Sequence, residues 1–291
     1  MELSDLTCFA AVARCGSISR AAGELNTVQS NVTTRIRLLE ERLGVALFTR
    51  HSRGMRMTAA GRRLLPYAGQ ILALAAEARQ AAQEDGGIGG MLAIGTMETT
   101  AAVRLPALLA RYHARHPDVT LDISTGTTAA LLDQVLDRSL DGAFVAAPVE
   151  HPDLATLPLV EEELVLVMAQ DWPDLAAYRQ ANPAPTAVVF RTGCSYRQRL
   201  EQYLSGEGWM PFRRLEFGTL EGMLGCVSAN VGVTLLPRAA VEKSTLHAAL
   251  RLHPIPPAQG RVETLFVRRR DVPESAAMRA FTGCFPGEES H

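Results

Sequence analysis

The chain has 291 residues, is 47% hydrophobic and 21% charged, and carries a net charge of −2 with a mean hydropathy of +0.04. This is the balance of a globular chain of about two domains; no apolar run approaches the ~18–20 residues of a membrane helix, and the slight acidity excludes a generally basic nucleic-acid coat. Cys8, Cys15, Cys194, Cys226 and Cys284 are scattered and odd in number, so neither a disulfide framework nor a structural metal is expected. The N-terminus carries acids on an amphipathic period, without the basic start and apolar core of a signal peptide, and a cytoplasmic setting is expected.

Charge is unevenly placed. Residues 1–63 hold Arg14, Arg20, Arg35, Arg37, Arg42, Arg50, Arg53, Arg56, Arg62 and Arg63 against Glu2, Asp5, Glu24, Glu40 and Glu41. A locally basic start on a mildly acidic chain is a footprint for phosphates. The spacing predicts a first helix over residues 2–14, broken by Gly16. Ser17 caps a second, with Ile18, Ala21, Ala22 and Leu25 on one face. Thr27 is expected to cap a third, whose buried stripe is Val28, Val32, Ile36, Leu39 and Leu43. Ser30, Thr33, Thr34 and Arg37 point away from that stripe, a polar face suited to a DNA major groove. Residues 45–58 read as two short strands around a Ser-Arg-Gly turn. Three helices and a basic ribbon make a winged helix-turn-helix.

Thr58 opens a long helix to about residue 83. Leu64, Ala68, Ile71, Ala75, Ala78 and Ala82 recur as a heptad seam, read as a dimerisation surface, the other reading being a helix packed back on its own domain. Residues 85–90 are a glycine-rich hinge. Strands and helices then alternate, which predicts a parallel sheet with helices on both faces. Thr99 or Thr100 is expected to cap the first of these helices. A second alternating set follows Val188, and a strand over residues 261–267 returns to the first, making two α/β lobes.

The chain resembles LysR-type transcriptional regulators over nearly its whole length. The residues that carry the resemblance are DLTCFAAVARCGSISRAAGELNTVQSNVTTRIRLLEERLGVALFTR, MTAAGRRLLPYA, RLPALLARYHARHPDVTL and GVTLLP. Two departures stand out: the proline that often follows the glutamine of the third helix is absent from Val28-Gln29-Ser30-Asn31, and Thr58 is followed by Ala59 rather than an acid. The resemblance implies an α+β multidomain protein with a winged helix-turn-helix over 1–58, a dimerising linker helix over 59–84, a hinge over 85–90 and a two-lobed effector domain like a periplasmic binding protein over 91–291. Lobe 1 spans about 91–160 and 268–291, lobe 2 about 161–267. It implies promoter DNA, a small metabolite and further copies of the chain, up to a homotetramer, as partners, with RNA polymerase a further candidate.

By the family pattern, Gln29, Ser30, Thr33 and Arg37 reach base edges and nearby phosphates, and Arg50 and Arg53 on the wing contribute phosphate or minor-groove contacts. Ser17, Arg20, Thr27, Asn31 and Thr34 complete the candidate DNA-facing set. The effector is expected between the lobes, at strand ends and helix N-termini. Candidate linings are Thr96, Met97, Glu98, Thr99 and Thr100; Thr125 and Thr127; Pro148; Arg191, Cys194, Ser195 and Arg197; and Gly218 and Thr219. Arg191 and Arg197 read as a carboxylate clamp, with Glu98 opposite them. No catalytic residue and no cofactor is expected. Two alternatives remain at this point: oxidant sensing through a Cys194 thiol of depressed pKa, and an α/β enzyme or solute-binding protein with an N-terminal assembly module. The absence of GxGxxG, GxSxG and Walker-type loops weighs against the latter.

Overall fold

A computed structural model describes residues 1–51, 54–82 and 88–285. They divide into two compact units, one of the residues before Ile88 together with Asp137–Ser139, and one of the remaining residues from Ile88 onward. In the first, α1 (Leu3–Cys15), α2 (Ile18–Glu24) and α3 (Gln29–Leu43) pack around Leu6, Phe9, Val12, Ala21, Val32, Ile36 and Leu39. Gly16 ends α1 with φ +62° and Gly44 ends α3 with φ +69°, left-handed positions that glycine occupies without a Cβ clash. Strands β1 (Phe48–His51) and β2 (Gly54–Met57) pair antiparallel, with Phe48 opposite Met57.

The ribbon is pinned at two points. Glu40 Oε1 accepts the amides of Leu47 (2.7 Å) and Phe48 (3.1 Å), and the Met55 amide donates to the Gly16 carbonyl (2.9 Å). A Phe9–Phe48 ring contact at 5.4 Å completes the attachment. The wing is therefore fixed by α3 and by the α1–α2 turn.

Helix α4 (Ala59–Ala82) starts at Thr58, whose hydroxyl accepts the Gly61 amide (3.0 Å) and donates to the Ala46 carbonyl (2.8 Å). Its expected seam is only partly a free surface. Ala68 is fully buried, and Leu64 and Ile71 pack with it against the core of the first unit. Those three residues serve their own domain. Among the described side chains of α4, the large apolar ones left exposed are Tyr67 (63%) and Leu74 (54%), seven residues apart on another face. Ala82's side chain and residues 85–87 of the hinge lie outside what is described.

The second unit begins with β3 (Gly90–Thr96), α5 (Glu98–Val103), α6 (Leu105–Arg115), β4 (Val119–Thr125), α7 (Thr128–Leu136) and β5 (Gly142–Ala146). Then come β6 (Leu154–Ala169), α8 (Leu175–Ala181), β7 (Thr186–Phe190), α9 (Ser195–Gly206), β8 (Arg213–Phe217) and α10 (Leu220–Ser228). The chain closes with β9 (Thr234–Pro237), α11 (Arg238–Glu242), β10 (Leu250–Pro254), α12 (Pro257–Gly260), β11 (Arg261–Arg269) and α13 (Ala276–Thr282).

The main sheet has the order β10-β6-β11-β5-β3-β4, with β9 also on β6. It is mixed, not parallel as expected. Only β3 pairs parallel, with β4 and β5; β11 joins β5 and β6 antiparallel, and β9 and β10 join β6 antiparallel. The cause is β6, which runs unbroken from Leu154 to Ala169. Its first half pairs with β11 and its second half with β9 and β10. One strand thus passes from lobe 1, packed on Ile94, Tyr112, Phe144, Phe266 and Phe281, into lobe 2, where β7 and β8 form a separate parallel pair.

Candidate functional site

Two sites emerge, one in each unit. In the first, α3 buries Val32, Ile36 and Leu39 and turns outward Gln29, Ser30, Asn31, Thr34 and Arg37, with Thr33 half-buried. The Thr33 hydroxyl donates to the Gln29 carbonyl (2.8 Å), which holds it on the helix. Arg37 is exposed and meets Glu41 at 3.6 Å. An exposed pair one helical turn apart contributes a few tenths of a kcal/mol, about 0.3–0.5, so the guanidinium can leave it for a stronger anion.

Two expectations at the start of α3 are corrected. The residue before the helix is Val28, in extended conformation and without a side-chain cap; Thr27 instead accepts a hydrogen bond from Asn31 Nδ2 (2.9 Å). Val28 is also 65% exposed rather than part of the buried stripe, and Leu43 at the other end is exposed as well. Helix α3 therefore presents its uncapped first-turn N–H groups and its positive dipole end beside an apolar side chain. Such an end attracts phosphate.

Ser17 caps α2 by accepting the Arg20 amide (3.5 Å), and the Arg20 residue is exposed. Arg53 and the Arg50 side chain lie outside the described residues. Arg35 and Arg42 are engaged by buried Asp5: Arg35 Nη1 lies 3.2 Å from Asp5 Oδ1, and Arg42 Nη1 2.8 Å from Asp5 Oδ2. This three-residue network ties α1 to α3 and is not legible in the sequence, where all the arginines of this region read alike.

In the second unit, the N-terminal ends of α5, α7, α9 and α10 converge. The Ala129 amide of α7 donates to the Gly193 carbonyl ahead of α9 (3.2 Å), and Thr127 lies against Gly193. The expected caps of α5 are corrected. Buried Met97 holds the N-cap position, and Thr99 and Thr100 sit inside the first turn, both buried. Thr96 and Thr127 have structural bonds. The Thr96 hydroxyl donates to the Met97 carbonyl (3.2 Å), and Thr127 accepts the Ala130 amide (3.4 Å). Thr125 is exposed at the end of β4, Pro148 is exposed, and Ser195 is the first residue of α9. Thr219 caps α10 through the Gly222 amide (3.3 Å).

The arginine clamp divides. Arg197 is taken by Glu216 (2.8 Å), Glu201 (3.1 Å) and the Phe190 carbonyl (3.4 Å), because Glu201 lies one turn along the same helix. It does not offer a free guanidinium. Arg191 is exposed, and its guanidinium lies beside Gly218, 3.4 Å from where a Cβ would stand. Glu98 on α5 is half-buried, and its carboxyl is pushed up by desolvation and then by the charge of Glu221 on α10.

Three buried hydroxyls near this convergence lack hydrogen-bond partners: Thr99 Oγ1, Tyr196 Oη and Thr264 Oγ1. Tyr196 lies close enough to both threonines for them to act on its phenol, whose pKa burial raises. Beneath it, Glu162 is held by both nitrogens of an Arg104 fork (3.0 and 3.1 Å). Tyr196, Thr264 and Glu221 are not singled out by the sequence. Tyr196 and Thr264 look like ordinary helix and strand residues, whereas Glu221, two residues past a capping threonine, could have been picked out.

Cys194 precedes α9 and is buried. Burial pushes its thiol up, against the opposing amides of Arg197 and Tyr196 and the Arg197 charge. The thiolate needed for oxidant chemistry is disfavoured. Native protein treated with N-ethylmaleimide at neutral pH is expected to leave Cys194 unmodified over a time that labels it fully in denaturant, as peptide mass spectrometry would show. Rapid native labelling would reverse this assignment. Among the described residues, no cluster of His, Cys, Asp or Glu could hold a metal ion, and no helix is long and apolar enough to cross a membrane.

Residues 3–62 match the family model for the bacterial regulatory helix-turn-helix protein, lysR family, and residues 85–287 match the LysR substrate binding domain. The HTH-type transcriptional regulator YusT of Bacillus subtilis is 46% identical, over 98% of this chain and 95% of the relative. The HTH-type transcriptional regulator GltR of the same organism is 43% identical, over 97% and 95%. Among solved structures, a full-length OxyR variant from Pseudomonas aeruginosa superposes with a TM-score of 0.73 at 22% identity, over 98% of this chain and 94% of that one. Full-length CbnR complexed with its target DNA gives 0.70 at 22% identity, over 98% and 99%.

Proposed function

The chain belongs to the LysR family of bacterial DNA-binding transcriptional regulators, and from that premise we propose how its residues divide the work. It is a regulator with an effector-binding domain, not an enzyme. Residues 1–58 read the operator, residues 59–84 join two copies, and residues 91–291 hold the effector. The work is done in the cytoplasm, by a tetramer built as two dimers.

The observation that carries the DNA reading is the outward face of α3. Gln29, Ser30 and Arg37 are exposed on one side of a helix whose other side is buried, and the uncapped first turn faces the same solvent. Gln29 offers the paired donor and acceptor that matches adenine, and Arg37 the fork that matches guanine or phosphate. Two copies joined through α4 present two such helices to one approximately palindromic site. Exposed Tyr67 and Leu74, a heptad apart, support a seam on that face of α4.

Arg37→Ala is expected to weaken binding to the DNA upstream of the gene about fivefold or more, from a contact of about 1–3 kcal/mol, while the oligomer elutes unchanged on gel filtration. A band-shift titration checks this. Unchanged affinity would place Arg37 off the DNA.

The effector reading rests on the convergence of four helix N-termini at the junction of the lobes, with Glu98, Thr99, Arg191 and Tyr196 around it. A ligand there touches both lobes and so favours one relative arrangement of them.

A further inference from the structure

The groups at the effector cleft carry a charge pattern that the rest of the fold does not use. Glu98 and Thr99 open α5 from lobe 1. Facing them from lobe 2 are Glu221, in the first turn of α10, and Arg191, whose guanidinium lies beside Gly218 just ahead of that helix. Among the described residues, none of the three charged groups has an ion-pair partner. Their situation differs from that of Arg104, Arg197, Arg214 and Arg238, each held by a carboxylate.

Glu98 and Glu221 sit close enough that one carboxylate disfavours charging of the other, in a place already partly desolvated. Two carboxylates facing across a cleft gain from a cation between them. Arg191 gains from an anion, and the N-terminus of α10 behind it has the same preference. Alongside, Thr99, Tyr196 and Thr264 bring three buried hydroxyls together from α5, α9 and β11; the two threonines lie near the Tyr196 phenol, and none of the three makes a hydrogen bond of good geometry. Buried hydroxyls without well-formed hydrogen bonds are rare, and a ligand polar group that reaches this layer as the cleft closes would complete them.

We propose that the effector is a small zwitterion of the amino-acid type, its ammonium held between Glu98 and Glu221, its carboxylate on Arg191, and a polar group directed to the hydroxyls of Thr99, Tyr196 and Thr264. This rests on the effector reading above and narrows it to one ligand class. Neither a simple dicarboxylate nor an apolar aromatic acid uses the two glutamates, and an amine without a carboxylate leaves Arg191 unanswered.

The test is thermal melting of the full chain with each of the common L-amino acids at millimolar concentration, beside the matched amines lacking the carboxylate and the matched acids lacking the amine. Ligands that bind only the folded state raise Tm in proportion to RT ln(1 + [L]/Kd). At least one amino acid is expected to raise Tm by several degrees, with both truncated analogues bound about tenfold or more weaker, as expected for loss of a charged hydrogen bond. Glu98→Gln and Arg191→Gln are each expected to weaken the amino acid by a similar factor while melting like the wild type without ligand. Glu221→Gln, at an exposed position, repeats the measurement should Glu98→Gln fold poorly. No stabilisation by any amino acid overturns the proposal. So does a simple acid that binds as tightly as its amino acid and ignores Glu98→Gln. If such an acid still loses binding in Arg191→Gln, the cleft stands as the effector site and only the zwitterion fails. If no compound of the three classes changes either Tm or DNA binding, the effector reading fails with it.

Discussion

Asp5→Asn is expected to lower the stability of the DNA-binding unit by about 1.5–3 kcal/mol, the scale for hydrogen bonds to a charged group. The Asp5 side chain is 1% exposed and takes the Arg35 and Arg42 guanidinium groups on its two oxygens, with the Glu2 amide on one of them at 3.0 Å. Asparagine keeps the shape but removes the charge, so two arginines from α3 are left facing a neutral amide. Burial by itself would raise the Asp5 pKa; the Glu2 amide and the two arginines outweigh it, and the net shift is downward. A carboxyl whose folded pKa lies below its unfolded value adds stability above that unfolded value, about 3.9, and loses it as pH falls through the folded one. Wild-type Tm should therefore fall on the acid side of about pH 4, and part of that fall should be missing in Asp5→Asn. Thermal melts from neutral to acid pH check both statements; equal stability of the two proteins at neutral pH would remove Asp5 from the account.

Gly61→Ala is expected to cost about 3 kcal/mol, at the upper end for an overpacked site, and to loosen the wing. A Cβ at residue 61 would stand 2.4 Å from the Leu47 carbonyl oxygen, far inside contact distance. That carbonyl already accepts the Thr58 amide (2.9 Å), and Thr58 in turn caps α4 and bonds Ala46. Backbone faces the new methyl, so no side-chain rotation relieves it. Either α4 moves off the ribbon or the Thr58 anchor breaks, and both displace β1 and β2. Urea unfolding should show the lost stability, and DNA binding at temperatures below the new melt should be weaker as well. Wild-type values in both would mean that the helix start yields at no cost.

How much of this is legible in the sequence follows from which interactions are local. The helix pair at residues 17–43 is readable because Ala21, Ala22, Val32, Ile36 and Leu39 repeat on helical spacing and because Ser17 and Gly44 mark its ends. Val28 is misplaced by spacing because it falls on the same stripe by arithmetic, yet precedes the helix. On α4 the heptad is real, but spacing cannot say what a face packs against; Leu64, Ala68 and Ile71 cover their own domain's core. In the second unit the strand–helix alternation is plain, while the long β6 and the antiparallel returns are hidden, since pairing partners lie far apart in sequence. The site is legible in its helix starts and not in its partners. Arg197 looks free until Glu201 and Glu216 are seen to hold it, and the hydroxyls of Tyr196 and Thr264 meet Thr99 only through the fold.

The central claim is that the outward face of α3 reads the operator. It is tested most directly by fluorescence anisotropy with two duplexes of equal length, one from the DNA upstream of the gene and one unrelated, titrated with wild type and Gln29→Ala at fixed salt. Wild type should prefer its own sequence, and Gln29→Ala should lose about 1–3 kcal/mol of that preference, the value of one bidentate base contact, with its affinity for unrelated DNA nearly unchanged because phosphate contacts supply that term. A Gln29→Ala protein that keeps the full preference would contradict the account.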